Sequence, residues 1–190
     1  MERIYAEEKI FEGINFLETA LPEGDYENCS FINCSFLNTN LSNFIFAQCQ
    51  FNVCDLSIVK ITNTAFKDIK FLGCKLLGLH FENCNAFGFE VNFENCTLNL
   101  ASFYKLKLKK TSFKNSTLCE VDFTDADLTS AVFTNCDLAG AIFENTIVEK
   151  ADFRTSYNYA INPEINRIKK AKFSISGISG LLDKYDIEVE

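Results

Sequence analysis

The chain has 190 residues, a length that suits one domain, and 47% of them are hydrophobic, which is ample for a buried core. Its formal net charge of −8 argues against direct nucleic-acid binding, and no apolar run is long enough to cross a bilayer as a helix. Glu2, Arg3, Glu7 and Glu8 leave no room for a secretory signal after Met1, so a cytoplasmic location with reduced cysteines is expected.

From Phe11 onward a large apolar residue stands at every fifth position: Phe11, Phe16, Leu21, Tyr26, Phe31, Phe36, Leu41, Phe46, Phe51, Leu56, Ile61, Phe66, Phe71, Leu76 and Phe81. The phase slips by two residues across 86–91. It then resumes as Phe93, Leu98, Phe103, Leu108, Phe113, Leu118, Phe123, Leu128, Phe133, Leu138, Phe143, Val148 and Phe153. A period of five fits neither a helix, near 3.6, nor a flat strand, at 2.0. It predicts a solenoid in which each five-residue step forms one side of a coil. Phe31, Phe36, Phe51, Phe71, Phe103, Phe113, Phe123, Phe133 and Phe143 are the expected core ladder.

Two residues before each large apolar centre the side chain tends to be small: Cys29, Cys34, Cys49, Cys54, Cys74, Cys84, Cys96, Ala101, Ser116, Ala126, Cys136. Two residues after it, Asn or Gly is frequent, as at Asn28, Asn33, Asn38, Gly73 and Asn135. Asn and Gly tolerate tight-turn backbone. Two side chains per unit therefore point inward, and the chain turns a corner after each. The cysteines read as compact buried hydrophobes, since they lack CxxC spacing and a neighbouring His. No metal or cofactor is expected.

Three outward features stand out. Glu120, Asp122, Asp125, Asp127, Asp137, Glu144, Glu149 and Asp152 concentrate acid in the later coils, either as a solvated surface or as a partner-binding face. Lys105, Lys107, Lys109, Lys110 and Lys114 precede them, and a twenty-residue coil sets Lys105 over Asp125, Lys107 over Asp127 and Glu94 under Lys114 as charge pairs. Leu17, Leu37 and Leu77 form an outward apolar column with Ser57 in the gap, and Ile32, Leu72, Val53 and Ile58 lie nearby. The slip carries Phe87 and Phe89 on a small corner loop. His80 faces outward with no nucleophile beside it, so an enzyme is not expected.

The repeat domain is assigned to residues 1–156, and residues 157–190 to a C-terminal cap and dimerisation segment. Asn162-Pro163-Glu164 suggests a short helix through Ile165, Ile168 and Lys169. Residues 178–185 read as an amphipathic helix, and Ile187 and Val189 as a short strand.

Cys34-Ser35-Phe36-Leu37-Asn38 and Ala126-Asp127-Leu128-Thr129-Ser130 resemble the repeat unit of the pentapeptide-repeat family, over about residues 11 to 155. The resemblance implies an all-β, right-handed quadrilateral β-helix of about seven coils. At the roughly 4.8 Å spacing of adjacent strands, such a rod is about 34 Å long. Glu8-Lys9-Ile10 and the C-terminal segment resemble the ends of the Qnr-type quinolone-resistance proteins of bacteria. That likeness implies a DNA-mimicking protein that binds DNA gyrase or topoisomerase IV, and a homodimer joined through Leu181, Leu182, Tyr185 and Ile187. The longer projecting loops of that group are missing here. The alternative is a scaffold or regulatory protein that uses the apolar column on another partner.

Overall fold

A computed structural model describes residues 3–185 and 187. The chain winds into a parallel β-solenoid of about seven four-sided coils. Side 1 of the early coils holds a four-stranded sheet: β1 (Ile4–Glu7), β3 (Gly24–Glu27), β5 (Ile45–Ala47) and β7 (Ala65–Lys67). Side 2 holds a seven-stranded sheet: β2 (Ile10–Glu12), β4 (Ser30–Ile32), β6 (Gln50–Asn52), β8 (Ile69–Leu72), β9 (Val91–Glu94), β10 (Ser112–Lys114) and β11 (Val132–Thr134). Sides 3 and 4 are joined by single parallel bridges, such as Ser35 to Asp55 and Ser102 to Asp122. Pairing runs at a twenty-residue register, as in Phe31 with Phe51, and at twenty-two across the slip, as in Phe71 with Phe93.

The coil is square because of its corners. Two residues after most centres the backbone turns left-handed, at Asn28 (φ 52°), Asn33 (51°), Asn115 (48°), Asp125 (58°), Gly73 (63°) and their equivalents. Asn, Asp and Gly bear that conformation at least cost.

The predicted ladder is the core. Phe31, Phe36, Phe51, Phe71, Phe103, Phe113 and Phe123 are fully buried, with Phe133 and Phe143 nearly so. Within a side, rings are stacked, as in Phe113 on Phe133 (4.8 Å, 4°); across the coil, between opposite sides, they meet edge to face, as in Phe113 with Phe123 (6.0 Å, 83°). Each ring thus makes both favourable aromatic geometries at once. The second inward column is not uniformly small, since Phe44, Val59, Ile69, Leu79 and Leu106 are also buried in it.

The residue in that column follows the hydrogen-bonding of the corner before it. At many corners the amide three residues on closes the turn, as Ala101 to the Leu98 carbonyl (2.9 Å) and Ala131 to the Leu128 carbonyl (2.9 Å). Alanine suffices there. At the corners after Phe11, Phe31, Phe51 and Phe113, the carbonyl instead accepts a thiol from the next coil: Cys34, Cys54, Cys74 and Cys136, at 3.3–3.4 Å. Ser156 and the Asn166 amide do the same for Phe133 (2.9 Å) and Phe143 (2.8 Å). The cysteines are therefore hydrogen-bond donors as well as fillers, and leave fewer buried carbonyls unpaired.

Three expectations need correction. Residues 163–169 form no helix. The Asn162 side chain accepts the Glu164 amide (3.0 Å), Arg167 bridges Ile147, and Phe173 stacks on Phe153 (5.4 Å), so the coil runs on. Residues 178–185 form two short 3-10 turns, Ile178–Leu181 and Asp183–Tyr185, in place of an amphipathic helix. Gly180 lies directly on Tyr159, where a Cβ would stand 2.1 Å from its carbonyl oxygen, and this close approach sets the path. At the slip, Phe87 is exposed, but Phe89 is half-buried and rests edge-on to Phe81 (6.0 Å). Val189 lies outside the described residues.

Truncating a ladder member, Phe113→Ala, should cost about 3–5 kcal/mol in a urea unfolding titration. Stability should also fall in alkali. Burial pushes the Cys49 thiol up to about 12 and the Cys136 thiol up to about 11, whereas an unfolded thiol ionises near pH 8.5. Their stabilising contribution is fully present below about pH 8.5 and is lost as the pH climbs towards 11–12, by at most about 1.4 kcal/mol per thiol per pH unit. Cys49→Thr, which keeps a donor as Thr64 does for Leu41 (2.7 Å), should flatten that decline in a pH series of melting curves.

Candidate interaction surface

A five-residue step turns the chain by one side, so acids close in sequence land on different sides. Asp122 and Glu144 stand on side 4, with Glu120 and Asp125 at its two corners. Asp127 stands on side 1 and Asp137 on side 3. Glu82, which the sequence reading passed over, joins the side 4 group: the twenty-two-residue register across the slip carries it beneath Tyr104. His80 lies against it (Nδ1 to Oε1, 2.8 Å). A shallow hollow of about 410 Å³ runs between His80, Glu82, Ser102, Tyr104, Glu120 and Asp122.

Several of these carboxylates have a local task. Asp122 accepts the Thr124 amide (2.8 Å), Asp127 that of Thr129 (3.1 Å), Asp137 that of Ala139 (3.1 Å) and Asp152 that of Arg154 (3.2 Å). Each closes an Asx turn just before a corner. Others are neutralised by neighbours. Asp127 pairs with Lys109 (3.1 Å), Asp152 with Arg154 (2.7 Å) and Glu149 with Arg167 (2.6 Å). Burial pushes the Asp127 carboxyl up, but the Thr129 hydroxyl and amide and Lys109 outweigh it and hold it below its usual value. The Arg154 guanidinium holds Asp152 low in the same way. Among the described residues, Glu120, Asp122, Asp125 and Glu144 make no ion pair. Of the acids read from the sequence, side 4 therefore gathers four without ion pairs among the described residues, while side 3 holds one, Asp137.

The charge pairs expected from the register form in part. Lys114 meets Glu94 (2.7 Å). Lys107 bridges Asp127 by backbone, yet the ion pair comes from Lys109. Lys105 turns over the Tyr104 ring (4.6 Å) and makes no ion pair with Asp125.

The apolar column lies on side 3. Leu17, Leu37 and Leu77 are exposed, and Ser57 is buried between the last two. Val53 and Ile58 flank the column at its corners, more than half exposed and left-handed in backbone (φ 54° and 50°). β-branched residues are strained there. Ile32 and Leu72 are half-buried.

The C-terminal residues expected at a dimer interface are divided between contacts within the chain and exposure. Leu181 packs on the core, Leu182 is half-buried, the Tyr185 hydroxyl donates to Glu164 (2.9 Å), and Ile187 is exposed. Among the described residues no group of three or more His, Cys, Asp or Glu side chains is placed to hold a metal ion, and no helix is long and apolar enough to cross a membrane.

A family model described as a pentapeptide repeat region matches residues 24–90 and 88–157. In fold the chain is similar to a trypsin-treated variant of QnrB1, a plasmid-mediated fluoroquinolone resistance protein. The TM-score is 0.64 at 18% identity, over 98% of this chain and 100% of that one. It is also similar to HetL, a pentapeptide repeat protein involved in heterocyst differentiation regulation from the cyanobacterium Nostoc sp. strain PCC 7120. There the TM-score is 0.73 at 15% identity, over 92% of this chain and 88% of that one. Among curated proteins none matches by sequence. At such identities the likeness is one of fold.

Relieving the strained corner should stabilise the rod. Asn33 lies one coil below Val53 and Gly73 one coil above, and Asn side chains hydrogen-bond along this corner between Asn115 and Asn95 (3.2 Å). Val53→Asn should raise stability by about 1 kcal/mol, read as a higher urea midpoint at unchanged slope.

Proposed function

The chain belongs to the pentapeptide-repeat family, and on that premise we propose that it is a non-enzymatic rod that occupies the DNA-binding surface of a type II topoisomerase, DNA gyrase or topoisomerase IV, in a bacterial cytoplasm. The observation that carries this reading is the charge on side 4. Asp122 lies on side 4 with Glu120 and Asp125 at the corners of the same coil and Glu144 on the next coil, without ion pairs among the described residues. Adjacent strands lie roughly 4.8 Å apart, so these carboxylates form one compact negative patch, of the sign that a phosphate-binding surface attracts. The fold-level likeness to QnrB1 over the whole of both chains agrees with it.

The flat sides favour binding over catalysis. Inward positions are filled by the aromatic ladder, and the chain's one His is held by Glu82 on the surface. An enzyme whose DNA site is basic attracts the acidic side at long range, and salt screens that attraction. The 86–91 loop adds only two residues to the register, so inhibition without drug protection is the expected mode.

A gyrase supercoiling titration with and without a fluoroquinolone tests the proposal. Inhibition at low micromolar protein is expected. Asp122→Lys/Asp125→Lys should raise the concentration needed at least about tenfold, equivalent to 1.4 kcal/mol. Unchanged inhibition by that variant would remove side 4 as the binding face. No inhibition by the parent protein up to high micromolar would overturn the topoisomerase reading. Function would then move to side 3, where Val53 and Ile58 are held exposed in strained backbone beside Leu37 and Leu77.

A further inference from the structure

The two ends of the coil stack are finished differently. At the C-terminal end Phe173 is stacked on Phe153 and flanked by Tyr159 (5.7 Å), which is itself almost fully buried. The Ile161 amide donates to the Gly180 carbonyl (2.8 Å), Leu181 packs on the core, and Lys184 and Tyr185 both reach Glu164. That end is closed by the chain's own last turns.

At the other end, nothing comparable lies over the first coil among the described residues. β1 and β2 are edge strands, each paired on one side only. The inward side chains Ala6, Phe11 and Ile14 are only half-buried, whereas Tyr26, Phe31 and Cys34, one coil further on, are buried to 2% exposure or less. Ile4 is 37% and Ile10 70% exposed. Phe11 has an aromatic neighbour stacked on one face, Phe31 at 4.9 Å. Glu7, Glu8, Lys9 and Glu12 surround this end and form no ion pair among the described residues. An apolar cross-section bounded by bare strand edges calls for a cover.

We infer that the cover is a second copy of this chain, docked N-terminal end to N-terminal end across a two-fold axis, with β2 paired antiparallel to its own counterpart. Three observations favour this occupant. A strand edge meets its own copy antiparallel across a two-fold, so both bare ladders are completed together and the seven-stranded sheet of side 2 continues into the second copy. A head-to-tail contact offers β1 and β2 no strand edge to pair with among the described residues, because the last coil is followed by the 3-10 turns Ile178–Leu181 and Asp183–Tyr185; pairing across a two-fold closes at two copies and does not grow into a filament. A two-fold centred on Phe11 sets ring against ring and places Ile10 of each copy opposite Glu12 of the other. The inference is independent of the topoisomerase reading. It also competes with a dimer joined through Leu181, Leu182, Tyr185 and Ile187.

Sedimentation equilibrium of the full chain is the test. A mass of twice 21.5 kDa is expected for the parent protein at roughly 100 µM. Ile10→Glu faces Glu12 with a like charge and should weaken the dimer at least about tenfold. Ile10 is largely exposed, so the melting curve of this variant should stay within a few degrees of the parent and show that it folds. Adding Glu12→Lys to Ile10→Glu restores opposite charges across the axis and should bring the dimer back. Leu182→Glu should leave it intact. A monomeric parent, an Ile10→Glu variant that dimerises normally, a double variant that stays monomeric, or a dimer lost on Leu182→Glu would each overturn the proposal.

Discussion

The architecture of this molecule hangs on one backbone constraint, a left-handed residue at most of the five-residue corners. That residue turns the strand direction by one side, and four such turns bring the chain back over itself after twenty residues. Only then do like positions superpose: Phe on Phe, Asn on Asn, thiol over carbonyl. The constraint also explains why Asn, Asp and Gly recur so regularly two residues past each centre. Where Val53, Ile58 and Leu100 occupy that position instead, the surrounding coils impose the conformation on side chains that resist it. Gly73 and Gly78 lie directly above Val53 and Ile58, and are themselves left-handed there (φ 63° and 62°).

The ladder was legible in the sequence because a period of five has no competing reading, and the apolar centres from Phe16 to Phe153 are buried. The meaning of the cysteines was not. Whether a corner closes through its own amide or leaves its carbonyl open is a matter of backbone geometry, and it decides whether Cys or Ala stands beside it. Cys84 shows that the rule is a tendency, since its own amide closes the corner after Phe81 (2.9 Å). The C-terminal turns were misread for a related reason. Spacing of apolar residues suggested a helix, while the close seating of Gly180 on Tyr159 fixes the path. Tertiary contact overrides local pattern most easily in a segment rich in Ser and Gly.

The acidic surface was half legible. A run of acids in sequence reads as one cluster, but each five-residue step moves to another side, so Asp127 and Asp137 leave the group that holds Asp122. Glu82 enters it only because the slip changes the register from twenty to twenty-two. Charge on such a rod is therefore organised by residue number modulo the coil, and a two-residue insertion re-sorts which charges share a side. Side 1 illustrates the converse: Lys107, Lys109 and Arg167 share it with Asp127 and Glu149, and the pairs largely cancel.

The twenty-residue register has a kinetic side as well. Parallel sheets usually join strands far apart in sequence, and such folds form slowly because long loops must close first. Here every strand pairs with one only twenty or twenty-two residues away in a chain of 190. That separation, divided by the chain length, gives a relative contact order of about 0.1, in the range of helical bundles. An all-β rod with that property can wind coil by coil, each new turn seating its ring on the one before, and so can build up in the order in which a ribosome delivers it.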